Sequence, residues 1–237
     1  MLDTGTPNIA RAYDYLLGGG AHFAADRALA ARLQARYPRT GEVLLSSRTF
    51  LADSLASIAA RGIDQYIDVG SGLPTSPSAH EAARAVQPLA RVVYVDRDPA
   101  VVRHAAALVP PGVRAVEGDL AEPEALLDAV AAFADLSRPA CLILAVVLQV
   151  LDLPTARAVV GVLVRALAPG SWLVVSVGAG ESGRLPDAAA AARGDFTVDD
   201  LASFLGGLEL APPGIRAGAS VLCATGCKPA RGGSRDG

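Results

Sequence analysis

Five short apolar runs in the middle of the chain predict the strands of one sheet. The runs lie at 65–70, 91–96, 113–119, 140–147 and 171–178, and none shows a regular alternation of polar residues. Ala-rich stretches of helical character separate them, near 78–87, 99–108, 122–134 and 155–167. Strands that are apolar on both faces and alternate with helices are typical of a parallel sheet covered on both sides. The pattern therefore predicts an α/β fold.

The chain before the first strand has a different pattern. Residues 8–61 read as helical throughout, with breaks at the triple glycine 18–20 and at 38–42. Within the first helix, Ile9, Tyr13, Leu16 and Leu17 recur at helical spacing, which predicts one apolar face. The charged pair at 26–27 is expected on a solvated helix face.

The other end of the chain predicts an antiparallel pair of strands. A helix near 198–206 precedes two short apolar stretches, 208–215 and 220–228. A parallel crossover needs a dozen or more residues, so strands this close must be antiparallel. We divide the chain into a helical cap integral to the domain, a sheet domain and a disordered tail, at 1–62, 63–229 and 230–237.

Composition and charge exclude several classes of protein. Apolar residues make up 51% of the 237 positions and charged residues 19%, so a disordered chain is excluded. The net charge is −3 without a basic stripe, which argues against a nucleic-acid partner. The longest apolar run, 140–148, is half a membrane span, and the first eight residues lack the features of a secretory signal.

The cysteines indicate the cellular compartment of the protein rather than a catalytic or metal-binding role. Cys141, Cys223 and Cys227 form no C-x-x-C pair and suit no common zinc pattern. We therefore expect reduced structural thiols, no metal and a cytoplasmic location.

The first two strands end in residues that suit a nucleoside. After the first strand, Gly70 and Gly72 allow a tight turn and close approach of a ligand. Thr75 occupies the third glycine position of G-x-G-x-x-G, so the match is partial. Asp96 ends the second strand, 24 positions after Gly72, where a carboxylate can accept both hydroxyls of a ribose.

The third strand and the residue before the glycines narrow the choice of ligand further. Asp119 offers an acceptor for an exocyclic amine, and Leu120 offers an apolar wall for a base. All these residues follow the carboxyl ends of strands, where open α/β sheets bind ligands. Both NAD and S-adenosylmethionine fit, but Asp68 before the glycines, the missing third glycine and the antiparallel hairpin favour S-adenosylmethionine. A nicotinamide oxidoreductase is the weaker alternative.

Several longer segments carry a family resemblance. "DVGSGLPT", "VVYVDRDPAVV" and "EGDL" resemble motifs of class I S-adenosylmethionine-dependent methyltransferases. "NIARAYDYLLGG", "SSRTFL", "GLPTSPSAHE" and "LAPGSWLVVS" resemble a bacterial S-adenosyl methyltransferase family formerly classed as a domain of unknown function, from about residue 7 to 229. The resemblance implies a Rossmann-like methyltransferase fold. Its sheet has seven mostly parallel strands, with strand 7 antiparallel.

The resemblance also implies a set of residues that bind S-adenosyl-L-methionine. Each part of the cofactor takes residues from a different strand end. The methionine and ribose lie along Asp68, Gly70 and Gly72, the ribose hydroxyls on Asp96 beside Arg97, the adenine on Asp119 and Leu120, and the methyl group above Ala145 and Val146.

Two departures from the family pattern fall where an acceptor is expected. Relatives usually have Lys-Asp-Asn at 20–22, where this chain has Gly-Ala-His, and a histidine where it has Gln149. Arg48 either binds an acidic acceptor or pairs with Glu42 on the surface. A general base is needed only if the acceptor is protonated. The candidate catalytic residues are Tyr13, Asp14, His22, His80 and Gln149.

These features predict methyl transfer to a small-molecule acceptor, with specialised metabolism as its setting. The opening helix and glycine loop either pack on the domain or also form a lid that excludes water from the cofactor. Two alternatives stay open: a protein that binds S-adenosylmethionine as a sensor or scaffold, and an enzyme that uses it for non-methylating alkyl transfer or cyclisation. We expect neither nucleic acid nor membrane as partner, and a homodimer is one option for the assembly.

Overall fold

Three helices precede the sheet in the computed structural model, which describes residues 3–179, 196–218 and 220–230. They are α1 (Ile9–Leu16), α2 (Ala24–Arg36) and α3 (Thr40–Ala59). The break between α1 and α2 falls at the triple glycine, as predicted, and Gly18 has a φ of +80° there. The second break is shorter than predicted, because α3 already begins at Thr40.

Five parallel strands follow at the predicted positions. They are β1 (Gln65–Val69), β2 (Arg91–Asp96), β3 (Val113–Glu117), β4 (Cys141–Ala145) and β5 (Trp172–Gly178). The crossover helices are α4 (Ala79–Arg84), α5 (Pro99–Leu108), α6 (Pro123–Ala131) and α7 (Leu153–Ala166), and a 3₁₀ turn, Leu148–Val150, follows β4. The strands lie in the order β3-β2-β1-β4-β5, so the chain reverses direction across the sheet after β3.

The last part of the chain completes the sheet with reversed strands. It contains α8 (Val198–Phe204), β6 (Glu209–Leu210), β7 (Arg216–Ala217) and β8 (Val221–Cys227). β8 is antiparallel to β5, and both β6 and β7 pair antiparallel with β8. Where one strand was expected at 208–215, the structure has only the short β6, and β7 begins just after that range. Pro212 and Pro213 lie between the two strands, and a proline nitrogen cannot donate to the sheet. The predicted fold is otherwise confirmed.

Both faces of the sheet are buried, as the apolar runs predict. Along β4, Leu142 and Leu144 belong to the core cluster on one face, and Cys141 and Ile143 to the cluster on the other. Helix α3 supplies Leu55 and its apolar neighbours to the second cluster. No helix in the described ranges is long and apolar enough to cross a membrane. The predicted disordered tail lies almost entirely outside the described residues.

The expected solvated position of Asp26 is wrong. Its side chain is fully buried, and Oδ2 accepts a hydrogen bond from Nε of the equally buried Arg11 at 2.8 Å. The backbone N–H groups of Asn8 and Phe23 donate to the same carboxylate. Burial alone would raise the pKa of Asp26, but these hydrogen bonds hold it below its usual value. Helical periodicity could not reveal this ion pair, because its partners lie on different helices. Arg27 is exposed, as expected.

Candidate functional site

A cavity lies at the carboxyl ends of β1 to β4, between the sheet and helices α1 and α3. The sheet side of this cavity contains every residue that the sequence predicts for cofactor binding. These are Asp68, Gly70, Gly72, Asp96, Arg97, Asp119, Leu120, Ala145 and Val146. The structure therefore brings together, from four strand ends, residues that are up to 78 positions apart in the chain.

The glycine turn after β1 has the geometry that requires glycine. Gly70 and Gly72 have φ values of +66° and +60°, a region that side chains with a Cβ rarely adopt. A Cβ on Gly70 would lie 2.1 Å from Cγ2 of Val147, so the turn and the segment after β4 are in close contact. A Cβ on Gly72 would meet that of Ala10 in α1, at 3.4 Å. The turn therefore joins the sheet to the opening helix.

Asp96 is oriented by the backbone around it. Its Oδ2 accepts a hydrogen bond from Gly72 N at 3.0 Å, and its Oδ1 accepts one from Asp98 N at 3.0 Å. Burial raises the pKa of Asp96, and these two hydrogen bonds partly offset the rise. A carboxylate has about four acceptor positions, so each oxygen keeps capacity for another donor. This arrangement suits the two hydroxyls of a ribose.

Asp68 and Arg48 place opposite charges at the cavity. The pKa of Asp68 is raised to about 7, because burial raises it strongly, the Arg48 guanidinium opposes the rise and the Asp96 carboxylate adds to it. Both side chains line the cavity. The surface pairing considered for Arg48 is wrong, because Glu42 is instead paired with Arg39 at 3.0 Å.

Helix α1 forms part of the opposite side of the cavity. Ile9, Ala10, Tyr13, Asp14 and Leu17 line it. From α3, Ser47 also lines the cavity and shares a 2.7 Å hydrogen bond with Ser176 of β5. The opening helix therefore packs on the domain and lines the cavity at the same time.

Asp14 connects the glycine loop to the turn after β1. Its Oδ1 accepts a 2.6 Å hydrogen bond from Thr75 Oγ1, and its Oδ2 accepts one of 2.7 Å from Ala21 N. A Cβ on Gly19 would lie 2.0 Å from Asp14 Oδ1, which explains a glycine there. Thr75, at the third glycine position, thus supplies a donor that sequence reasoning missed. Because Asp14 joins the glycine loop to this turn, the geometry supports a positioning role for it.

A second connection runs from α1 to the loop after β2. Asn8 caps α1 by accepting from the N–H groups of Ala10 and Arg11, and its Nδ2 donates to Asp98 Oδ2 at 2.7 Å. Asp98 in turn donates its backbone N–H to Asp96. Apart from the capping residue types, no sequence pattern predicts this contact.

Two of the five candidate catalytic residues do not line the cavity. His22 packs edge-on against Tyr15, with ring centroids 4.9 Å apart. His80 has its Nδ1 3.0 Å from Ser78 Oγ and 2.9 Å from Tyr94 Oη, and burial lowers its pKa. The structure thus gives neither histidine a place at the cavity, whereas Tyr13, Asp14 and Gln149 do line it.

The segment after β4 holds two unusual residues at the cavity. Val146 has a φ of +55°, a strained conformation for a β-branched residue and one that clusters at functional sites. Gln149, in the 3₁₀ turn, is fully buried, and neither its Nε2 nor its Oε1 has a hydrogen-bond partner in the described structure. Buried polar groups are nearly always paired, so the unpaired amide of Gln149 indicates a group that a ligand can bind.

The sheet order, the reversed β8 and the cavity at the strand ends define the class of S-adenosylmethionine-dependent methyltransferases. A family model described as S-adenosyl methyltransferase matches residues 1–221, and the chain belongs to that family. The cofactor of the family is S-adenosylmethionine. The residues at the cavity fit it, since Asp96 and Asp119 can accept hydrogen bonds and the glycine turn allows close approach of a ligand. No curated protein matches the chain in sequence.

Solved structures agree with this assignment. A candidate methyltransferase from Thermobifida fusca YX is 34% identical, with a TM-score of 0.83 and 97% of each chain covered. A DUF574 family protein from Streptomyces avermitilis MA-4680 is 32% identical, with a TM-score of 0.81, over 97% of this chain and 100% of the other. The N-methyltransferase NodS from Bradyrhizobium japonicum WM9, in complex with S-adenosyl-L-homocysteine, shares the fold at 14% identity and a TM-score of 0.51, over 75% and 85% of the two chains.

Proposed function

We propose that this protein transfers a methyl group from S-adenosylmethionine to a small-molecule acceptor in the cavity under α1 and α3, in specialised metabolism. The observation that carries the proposal is the composition of the cavity. Its sheet side is polar and suits the cofactor, while much of the rest is apolar. The apolar lining residues outside the strand ends include Leu17, Leu44, Leu51, Val147 and Val150.

The order of the strands supports one direction for the bound cofactor. Asp119 follows β3, Asp96 ends β2 and Asp68 lies in β1, while Ala145 and Val146 are at the end of β4. Neighbouring strands are about 4.8 Å apart, so the row from β3 to β4 is roughly 14 Å long. We assign the adenine to Asp119 and Leu120, the ribose to Asp96 with Arg97 beside it, and the methionine to Asp68 and the glycine turn.

Binding, orientation and exclusion of water are the contributions of this chain. S-adenosylmethionine, when bound, supplies an electrophilic methyl group on a sulfonium. Asp96 fixes the ribose, the backbone at Ala145 and Val146 limits the space beside the methyl position, and α1 keeps water from it. Among the residues that the structure describes, the cavity lining contains no histidine, lysine or cysteine. The proposal therefore favours an acceptor that needs no strong base.

We also propose that residues 1–62 form a lid integral to the domain. Three contacts support this: Gly72 against Ala10, Thr75 with Asp14, and Asn8 with Asp98. Each joins the helical segment to a loop that we assign to the cofactor. Such a lid would couple cofactor binding to the position of α1.

Calorimetric titration with S-adenosyl-L-homocysteine tests the assignment. We expect the wild type to bind and Asp96→Ala to weaken binding by about 1.5–3 kcal/mol, since charged hydrogen bonds to the ribose are lost. Asp135→Ala is the matched control, because Asp135 is exposed and bonds locally to Ser137. Equal affinity of Asp96→Ala and wild type would show that the ribose is placed wrongly, and absence of binding by the wild type would contradict the proposed function.

A further inference from the structure

We propose that Gln149 recognises the methyl acceptor with its side-chain amide, and that the acceptor presents a neutral edge with a hydrogen-bond donor beside an acceptor, as in a lactam or another cis-amide. This inference rests on the proposed function and names the class of molecule that its cavity takes. Gln149 is then a specificity-determining residue that touches substrate.

The unpaired amide is the first observation. Gln149 has no exposed surface, lines the cavity, and leaves both Nε2 and Oε1 without a partner in the described chain. A buried donor and acceptor that stay unpaired cost free energy on folding. Such a cost is expected to persist where a ligand uses the group.

Another buried glutamine shows how this chain pairs such a side chain for structure alone. Gln65, which is 1% exposed, donates from Nε2 to Asp135 O at 3.1 Å and accepts at Oε1 from Asp135 N at 2.8 Å. It thereby satisfies both halves of its amide on the backbone N–H and C=O of one residue. Gln149 is just as buried, but its amide has no such backbone partner in the described chain. Burial of a glutamine in this fold therefore does not by itself leave its amide unpaired.

The position of Gln149 points to the acceptor rather than the cofactor. The residues assigned to adenine and ribose follow β3 and β2, whereas Gln149 follows β4, on the other side of β1. It lies in the same segment as Ala145 and Val146, which we place beside the transferable methyl group. The side chain of Gln149 is therefore placed to contact the molecule that receives the methyl group.

The chemistry of the side chain defines the edge that it can bind. A carboxamide offers one donor and one acceptor side by side and does not titrate, so it can neither act as a general base nor balance a charge. Its cavity-lining neighbours in the turn, Val147 and Val150, are apolar. The complementary edge is therefore a neutral donor–acceptor pair.

Fragment binding to the full-length protein, saturated with S-adenosyl-L-homocysteine, tests the inference. The probes are δ-valerolactam, which has both groups, and N-methyl-δ-valerolactam, which lacks the donor, and their affinities are compared by ligand-observed NMR. We expect the lactam to bind about tenfold more tightly, the usual effect of one hydrogen bond, and Gln149→Met to remove this difference. Equal affinities in the wild type, or an undiminished preference in Gln149→Met, would overturn the inference.

Thermal unfolding supplies a readout that needs no acceptor. Because Gln149→Met removes an unpaired buried amide at nearly constant volume, we expect a higher melting temperature than the wild type. The matched variant Gln65→Met, which breaks two hydrogen bonds, should melt lower. A melting temperature of Gln149→Met lowered like that of Gln65→Met would assign Gln149 to the core and refute the inference. The titration with S-adenosyl-L-homocysteine separates this failure from failure of the proposed function, because only the latter predicts that the cofactor product does not bind.

Discussion

The two sides of the cavity are built in different ways. On the sheet side, the polar groups come from short motifs at consecutive strand ends, and backbone N–H groups of two such motifs, those of Gly72 and Asp98, orient Asp96. On the helical side, single polar side chains of α1, its cap Asn8 and α2 pair with side chains of other elements. Arg11 meets Asp26, Asp14 meets Thr75, and Asn8 meets Asp98. The comparison teaches that a binding motif can be local while the segment that covers it depends on distant pairs.

The largest effect on this comparison is expected from Asp26→Asn. The variant keeps the shape of the side chain but leaves the buried Arg11 guanidinium without its counter-charge, which costs about 3–5 kcal/mol of the free energy of unfolding. Urea unfolding measures the loss. The control is Arg138→Met, which breaks the exposed 2.8 Å pair with Asp64 and should cost less than about 1 kcal/mol. Similar losses in the two variants would mean that the helical side does not depend on its buried pair.

The same pair predicts how stability depends on pH. The folded-state pKa of Asp26 lies below its usual value, so the unfolded chain binds this proton more readily than the folded one. The stabilisation is therefore fully present at neutral pH and is lost as the pH falls below about 4, through the lowered pKa. Asp26→Asn should lack this part of the acid dependence, which unfolding measured from pH 7 to pH 3 would show.

The sequence was sufficient for the sheet and insufficient for the helical side, and the reason is physical. Strand runs and glycine turns act through local periodicity and backbone conformation, so all nine residues predicted for the cofactor line one cavity. A charged side chain is buried only where the fold places an opposite charge beside it, and the local sequence does not show this. The prediction that Asp26 is solvated was therefore wrong. His80 looked like a pocket residue because it follows the glycine turn, yet Tyr94 of the next strand holds it outside the cavity lining.

A smaller effect is expected from Thr75→Val, which tests the contact between the two sides. The change keeps the shape of Thr75 but removes the hydroxyl that donates to Asp14 Oδ1, leaving a buried carboxylate oxygen without this donor. We expect a loss of about 1–3 kcal/mol in the free energy of unfolding. The control is Thr225→Val, since Thr225 donates to Ser54 over a longer 3.4 Å contact. A loss no larger than that of the control would show that Asp14 does not need Thr75.

The smallest effect on stability, and the sharpest test of coupling, is expected from Asn8→Ala. Asn8 caps α1 and also holds Asp98, whose backbone N–H orients Asp96. Loss of the cap should cost about 1 kcal/mol. Thr197→Ala removes the cap of α8 through a similar contact, and Thr197 is not among the described residues that line the cavity. We therefore expect similar stability losses in the two variants but weaker binding of S-adenosyl-L-homocysteine, by calorimetry, in Asn8→Ala alone. If both variants bind like the wild type, α1 covers the cavity without influencing the ribose site, and the two sides act independently.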